Sequence, residues 1–253
     1  MRTFQLGGVE VPRIGLGTNR LTTAGEHVAF VREAVAEGVR HIDTAHLYSG
    51  GDSERALGEA LADVSEEVLI ATKGGYRPGE GRPEVLSAQI EQSLRSLRTD
   101  AIGLYYLHRV DPETQLEESL GAIRAHVDRG VIRHVGVSEI GIEEIERARK
   151  IVPIAAVQNR YNLADRGHDD VIDFCARAGI AFVPYFPLRG RGGAGLADAA
   201  RRLGVSENAV KLAWLLQRSP VVLPIPGTLS IEHLRENLAA LDLDLGDAAD
   251  IAA

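Results

Sequence analysis

Residues 68–73 read Val-Leu-Ile-Ala-Thr-Lys and residues 102–108 read Ile-Gly-Leu-Tyr-Tyr-Leu-His. Both are short, apolar and rich in β-branched or aromatic residues, the composition of buried strands. Between them Pro83 opens a run with apolar residues at Val85, Leu86, Ile90, Leu94 and Leu97. That spacing makes one face of a helix entered through a proline in its first turn. A second helical run from about Gln115 to Asp128 leads into Arg133-His134-Val135-Gly136-Val137-Ser138, a third strand.

The alternation continues in both directions. Further strands are predicted at Ile14–Thr18, His41–Ala45, Ile154–Asn159, Ile180–Phe186 and Val221–Ile225. Helices are predicted over about His27–Val39, Ser53–Asp63, Ile142–Ile151, Asp169–Ala178, Leu196–Arg218 and Ile231–Leu241. Strict strand–helix alternation implies a parallel sheet, and eight such units close into a (β/α)₈ TIM barrel. The 253 residues suit one such barrel, and no Pro/Ser-rich linker interrupts them, so residues 1–253 are expected to form a single domain. Ahead of the first unit, Leu6-Gly7-Gly8-Val9 predicts a tight N-terminal β-hairpin, placed where it can plug the barrel's lower mouth.

Composition narrows the functional classes. The net charge of −8 argues against nucleic acid and anionic membranes as partners, since both select basic patches. With no apolar leader and no long uninterrupted apolar stretch, neither a signal peptide nor a membrane span is expected, and a cytoplasmic location follows. Cys175 is the single cysteine; it sits in the apolar pattern Val171-Ile172-Asp173-Phe174-Cys175 and reads as a core thiol. No exposed apolar stripe is apparent, so a monomer is expected, with the oligomeric state left open.

In this barrel class reactive groups lie at the C-terminal ends of the strands and in the loops that follow. Asp43, Lys73 and His108 end or nearly end their strands, and Tyr48 lies in the loop after Asp43. Each alone has a structural explanation; together at one barrel mouth they share a chemistry. A phenol is a weak acid at neutral pH, and a neighbouring ammonium lowers its pKa. Lys73 is that cation for Tyr48, and Asp43 is the carboxylate that allows the lysine to be buried. His108 can donate to a substrate carbonyl oxygen. Such a set reduces carbonyls, provided a cofactor brings the hydride.

These segments resemble the aldo-keto reductase family over nearly the whole chain. The resemblance rests on Ile42-Asp43-Thr44-Ala45-His46-Leu47-Tyr48, Ala71-Thr72-Lys73, Tyr106-Leu107-His108 and Gly136-Val137-Ser138. It extends through Val157-Gln158-Asn159, Pro184-Tyr185-Phe186-Pro187-Leu188, Pro224-Ile225-Pro226-Gly227 and Glu236-Asn237. It implies that Asp43, Tyr48, Lys73 and His108 form a catalytic tetrad and that NADPH, preferred over NADH, reduces a small-molecule aldehyde or ketone reversibly. It implies that Ser138 and Gln158 bond the nicotinamide carboxamide and that Tyr185 stacks on the ring. Pro187, Leu188, Arg189 and Gly190 would line the pyrophosphate. Gly227, Thr228, His233, Glu236 and Asn237 would surround the adenosine end; Thr18, Asn19, Asp43, Phe186 and Pro226 complete the expected cofactor contacts. Arg189, Arg191 and Arg235 offer local positive charge.

Four positions depart from the family's usual pattern. Glu139 stands where Asn often follows the serine, Asn19 where an aromatic is common, and Gly227 and His233 where Lys and Arg often grip a 2′-phosphate. The short segment from Arg109 to Thr114 and the chain end soon after Leu245 predict an open pocket. Three alternatives compete. Gly190-Arg191-Gly192-Gly193-Ala194-Gly195 fits a dinucleotide-binding fingerprint, but with one clear strand after it no complete nucleotide-binding sheet can follow. A metal hydrolase using His41, Asp43, His46 and His108 leaves Tyr48 and Lys73 without a role, and no metal is expected. A cofactor-binding sensor or regulatory protein with the same fold and little turnover keeps the same residues.

Overall fold

The computed structural model describes residues 2–190, 194–246 and 251. A hairpin of β1 (Thr3–Leu6) and β2 (Val9–Pro12) comes first, paired Leu6↔Val9 across Gly7 and Gly8. Both glycines have positive φ, 57° and 76°, as a two-residue primed turn requires. Seven parallel strands follow, each beside the next in chain order: β3 (Leu16–Gly17), β4 (His41–Asp43), β5 (Leu69–Gly74), β6 (Ile102–Leu107), β7 (Ile132–Ser138), β8 (Ile154–Gln158) and β9 (Ala181–Phe182). The helices between and after them are α1 (Gly25–Ala36), α2 (Asp52–Ala60), α3 (Pro83–Leu97), α4 (Leu116–Asp128), α5 (Ile142–Arg149), α6 (Asp169–Ala178), α7 (Ala194–Leu203), α8 (Glu207–Arg218) and α9 (Ile231–Ala239). Among the described residues no helix is long and apolar enough to cross a membrane.

The eighth unit closes the (β/α)₈ barrel without a regular strand. Phe182 N donates to Val221 O and Leu223 N to Phe182 O, both at 2.8 Å; on the other side Gly15 N donates to Pro224 O at 3.0 Å and Gly17 N to Pro226 O at 3.2 Å. The segment accepts bonds from β3, but Pro224 and Pro226 have no N–H to return, so the expected strand Val221–Ile225 is reduced to isolated bridges. The expected strands Ile14–Thr18 and Ile180–Phe186 shrink to two residues each for related reasons. The first faces this donor-poor segment; the second runs into Pro184 and a left-handed Phe186, φ 54°. The helices expected over Leu196–Arg218 are α7 and α8, separated at Gly204 (φ 67°) and restarted at Ser206, whose Oγ accepts from Ala209 N at 3.2 Å.

Strand parity divides the core. Leu69, Ala71, Leu104, Tyr106, Ala156, Ala181, Val183, Leu223 and Ile225 fill the barrel interior, closed by Leu6, Val9 and Val11 of the hairpin. Alternate residues such as Tyr105, Leu107, Val135, Val137 and Phe182 pack outward under the helices. Because side chains alternate along a strand, the inward sets 69-71-73 and 104-106-108 carry Lys73 and His108 to the upper mouth. Asp43, Ser138 and Gln158 arrive there by the same count on β4, β7 and β8.

Tyr106 floors that mouth, fully buried, with its ring centre 5.8 Å from Lys73 Nζ. A Cβ on Gly136 would lie 2.4 Å from the Tyr106 ring, so this β7 position is held open for an aromatic on β6. Gly136→Ala should overpack the interior and cost about 1–3 kcal/mol, lowering Tm by about 2–12 °C. In a thermal double-mutant cycle, Tyr106→Leu should relieve part of that loss; strict additivity would show that the two sites do not meet.

Candidate active site

The loop after β4 is stitched to β5. Thr44 N donates to Ala71 O at 2.8 Å and His46 N to Lys73 O at 3.0 Å. Tyr48 begins a 3₁₀ turn (Tyr48–Gly51) in which Ser49, Gly50 and Gly51 all have positive φ, 50°, 65° and 90°. Three consecutive left-handed residues swing the chain sharply into α2, and the non-glycine Ser49 bears a conformational cost there. Ser53 Oγ ties the turn down, 2.7 Å from Thr44 Oγ1 and 2.9 Å from Thr18 Oγ1. The Tyr48 ring is thereby fixed edge-on to His108, ring centres 6.1 Å apart.

Beneath it Lys73 is completely buried. Its Nζ donates to Asp43 Oδ1 and to Thr44 O, each at 2.6 Å, and sits 5.1 Å from the centre of the Tyr48 ring. Asp43 Oδ2 accepts from Gln158 Nε2 at 2.7 Å. Burial acts to lower the lysine pKa, but Asp43 and Tyr48 outweigh it and the net shift is upward, so Lys73 stays an ammonium. The Tyr48 phenol is pushed up by burial; Lys73 pulls it down without cancelling that effect. This corrects the expectation of a lowered phenol pKa, which counted the cation and not the desolvation. Burial, then Lys73 and Arg109, drive His108 down to about 2 and keep it a neutral imidazole. His108 Nδ1 is enclosed with no hydrogen-bond partner among the described residues.

A cleft of about 640 Å³ opens above this group. Of the residues singled out from the sequence, Thr18, Asn19, Asp43, Tyr48, His108, Ser138, Gln158, Tyr185, Phe186, Pro187, Leu188, Arg189, Pro226 and Gly227 line it. Lys73 lies under its floor. Gly190, Thr228, His233, Glu236 and Asn237 do not line it; Glu236 faces a separate recess of about 340 Å³ beside Ala239 and Leu243. Arg235 is ion-paired with Glu33 on α1 at 3.7 Å and with Glu37, just past its end, at 2.7 Å. Arg191, Gly192 and Gly193 lie outside the described residues. Glu139 has φ 57°, a left-handed position that suits the family's more common Asn. Its Oε1 accepts from Arg160 N at 2.7 Å and its Oε2 lies 3.7 Å from Arg109 Nη1. Cys175 is buried, its thiol pushed up to about 12 by burial, as a core residue.

Sequence reasoning missed four residues. Arg20, Tyr76 and Arg109 line the cleft. Lys211 on α8 is buried and donates to Leu188 O at 3.3 Å and Gly190 O at 3.0 Å, holding the loop after β9 from below. Arg109 directly follows His108 and Tyr76 closely follows β5, so the strand-end criterion that selected His108 and Lys73 reaches both. Nothing in the apolar pattern of α8 marks Lys211. Tyr76 and Phe186, 44% and 37% exposed, are the large apolar side chains most open to solvent among the described residues, and both stand on the cleft.

The family model described as "Aldo/keto reductase family" matches residues 13–195 and 194–253. The chain belongs to the aldo/keto reductase family. This reductase is 39% identical over 270 residues to a pyridoxine 4-dehydrogenase of Escherichia coli, covering 97% of this chain and 94% of that protein. It superposes on a crystal structure of a thermostable aldo-keto reductase bound to the inhibitor epalrestat with TM-score 0.91 and 33% identity, covering 100% of both chains. A Klebsiella pneumoniae aldo/keto reductase crystallised with NADP and acetate gives TM-score 0.86 at 31% identity, covering 96% of this chain and 90% of that one. The family places this protein among oxidoreductases acting on carbonyl compounds.

The loop that carries Tyr76 is anchored from β6. Asp111, buried just past His108, accepts from Gly79 N at 3.0 Å, Gly81 N at 2.8 Å, Glu113 N at 3.0 Å and Thr114 Oγ1 at 2.9 Å. Desolvation opposes its ionisation, but these donors outweigh it and hold the carboxyl at about 2. A folded-state pKa below the unfolded one contributes stability above about pH 4 that disappears as pH falls towards about 2. Asp111→Ala should lower the Tm of this reductase by about 4–8 °C near neutral pH, roughly 2 kcal/mol. In calorimetric scans the gap to wild type should narrow steadily below about pH 4; a gap constant down to pH 2 would mean that the carboxylate's charge is not what anchors the loop.

Proposed function

We propose that this chain reduces the carbonyl group of aldehydes or ketones to the alcohol with NADPH, Tyr48 giving its phenolic proton to the carbonyl oxygen. The observation that carries this reading is the buried chain of contacts from Asp43 through Lys73 to Tyr48, facing a neutral His108 across one cleft.

The cleft suits the cofactor by its own chemistry. Arg20, Arg109 and Arg189 line it against one carboxylate, Asp43, already neutralised by Lys73. Ser138 lines the same space, and its hydroxyl makes no hydrogen bond among the described residues. With Gln158 Nε2 committed to Asp43, Oε1 is the atom left to accept from a carboxamide. Ser138 and Gln158 would hold the nicotinamide amide, Tyr185 the ring face, and Pro187, Leu188, Arg189 and Gly190 the pyrophosphate. Gly227, Thr228, His233 and Asn237 would surround the adenosine. A 2′-phosphate would draw Arg235 from Glu37, with Thr228 and Ser230 hydroxyls nearby. When bound, NADPH supplies the hydride.

The protein's own part is proton delivery and polarisation. A phenol whose pKa is raised stays protonated through neutral pH and is ready to donate. As its proton leaves, Lys73 stabilises the growing phenolate charge. Neutral His108 donates to the carbonyl oxygen, orienting it and withdrawing electron density. Reduction should therefore be insensitive to pH from about 6 to about 9, and the reverse oxidation, which needs the phenolate, should accelerate as pH rises. For substrate we propose a planar aromatic aldehyde–alcohol pair of the pyridoxine type, supported by the pyridoxine 4-dehydrogenase relative and by the Tyr76 and Phe186 rings on the rim.

The test follows loss of NADPH absorbance with pyridoxal and a panel of aldehydes and ketones. Tyr48→Phe should lower kcat by about 10²- to 10⁴-fold while leaving the Kd for NADPH within about threefold of wild type. Undiminished turnover in that variant would overturn the role given to Tyr48. Tight NADPH binding with no turnover of any compound would favour a sensor or regulatory protein instead.

A further inference from the structure

Arg109 has a role that proton delivery leaves unused. It follows His108 directly, lines the cleft, and its guanidinium carbon lies 5.7 Å from the centre of the Tyr76 ring and 6.0 Å from that of Tyr185. Tyr76 in turn lies over His108, ring centres 4.8 Å apart. The guanidinium is thus flanked by rings at the end of the cleft where a substrate carbonyl must lie to reach His108 and Tyr48.

Its hydrogen-bonding capacity is nearly unspent. A guanidinium offers five N–H donors in a rigid fork. No hydrogen bond from the Arg109 side chain is made among the described residues; Nη1 is buried without one, and the ion pair with Glu139 Oε2 is long, at 3.7 Å. Glu139 cannot simply close on it. Its other oxygen is held by Arg160 N at 2.7 Å, and its backbone N donates to Gln158 O at 3.1 Å, in a left-handed conformation. Glu139 therefore fixes the guanidinium from one side and leaves the other Arg109 donors to the cleft. Arg20 and Arg189 lie elsewhere: Arg20 reaches Gly227 O, and Arg189 stacks on Phe186 at 3.7 Å.

We infer that Arg109 is the specificity-determining residue of this reductase, and that it selects planar aromatic aldehydes carrying an oxyanion on the ring carbon next to the aldehyde-bearing carbon. The rings flanking Arg109 suit a flat substrate, and the fork suits an oxygen that shares the plane of the carbonyl. This rests on the carbonyl-reducing reading above and deepens it to a substrate class.

The experiment uses two aldehydes differing in a single oxygen, 3-hydroxypyridine-4-carboxaldehyde and pyridine-4-carboxaldehyde, with saturating NADPH and the full chain. Wild type should prefer the hydroxylated ring in kcat/KM by about 10- to 100-fold. Arg109→Gln should erase most of that preference, chiefly by raising KM for the hydroxylated aldehyde, while the loss of its charge beside His108 lowers kcat for both aldehydes by a common factor. Arg109→Lys should restore only part of it, since a point charge lacks the fork. Equal losses for both aldehydes in Arg109→Gln, or no preference in wild type, would overturn the inference. Calorimetric binding of the hydroxylated aldehyde to the protein with NADP⁺ separates this from the parent reading. Weakening by about tenfold or more in Arg109→Gln sustains the inference even where turnover of both aldehydes is absent, which would refute only the reductase reading; unchanged binding would overturn it.

Discussion

The ammonium of Lys73 has no surface open to solvent, and the carboxylate that meets it, Asp43, has almost none. Removing both charges from water costs several kcal/mol each, and an apolar pair of similar volume often serves stability equally well. The pair is tolerable only because its hydrogen-bonding capacity is filled: Thr44 O takes a second lysine proton and Gln158 takes the second carboxylate oxygen. Everything above depends on that satisfied pair. An unpaired ammonium would lose its proton in such burial, the Tyr48 phenol would lose its stabilising charge, and Gln158 would be free to turn. The backbone repeats the dependence, since Thr44 O is fixed by a loop whose N–H groups bond β5 itself.

The barrel assembles this group through parity rather than through any local motif. Asp43, Lys73, His108, Ser138 and Gln158 belong to five adjacent strands, and each faces inward because the residue two positions earlier does. Tyr106, one layer down, supplies a rigid apolar floor, and Gly136 yields the space for it. Tyr48 comes from outside the sheet, and correspondingly its turn carries the densest run of left-handed residues among the described residues, held by the Thr18, Thr44 and Ser53 hydroxyls.

How legible each part was follows from the same physics. The strands around β5, β6 and β7 are continuous apolar runs, and their bounds agree with the sequence pattern to within a residue or so. The first, seventh and eighth strands were overdrawn because apolar character says nothing about backbone donors, and Pro184, Pro224 and Pro226 remove them. The ionisable residues at strand ends were readable because the barrel assigns that layer a location. Arg109 occupies the same layer but was read only as the start of a short loop, and Tyr76 drew no reading. Lys211 was hidden because a lysine in a helix reads as solvated unless something shows that its head is buried under carbonyls. The sign of the Tyr48 shift was misjudged for a related reason. The neighbouring cation is visible in the sequence as a strand-end lysine, whereas the depth of the phenol is a property of the closed barrel.

The charge distribution argues that the cleft is built for anions as well as for a carbonyl. The chain carries a net charge of −8, yet its main cleft is lined by three arginines and by one carboxylate that is already paired. In a low-dielectric recess such an inversion focuses positive potential where the overall charge would repel anions. Arg189 and Arg20, near Phe186 and Gly227, suit phosphates, which bring several charges and tolerate solvent. Arg109 is different: it is half-buried between aromatic rings beside His108, where a guanidinium discriminates by geometry as much as by charge. The same positive charge helps keep His108 neutral, so in the proposed reaction a single side chain would link the selection of an anionic substrate to the protonation state of the imidazole that would polarise its carbonyl.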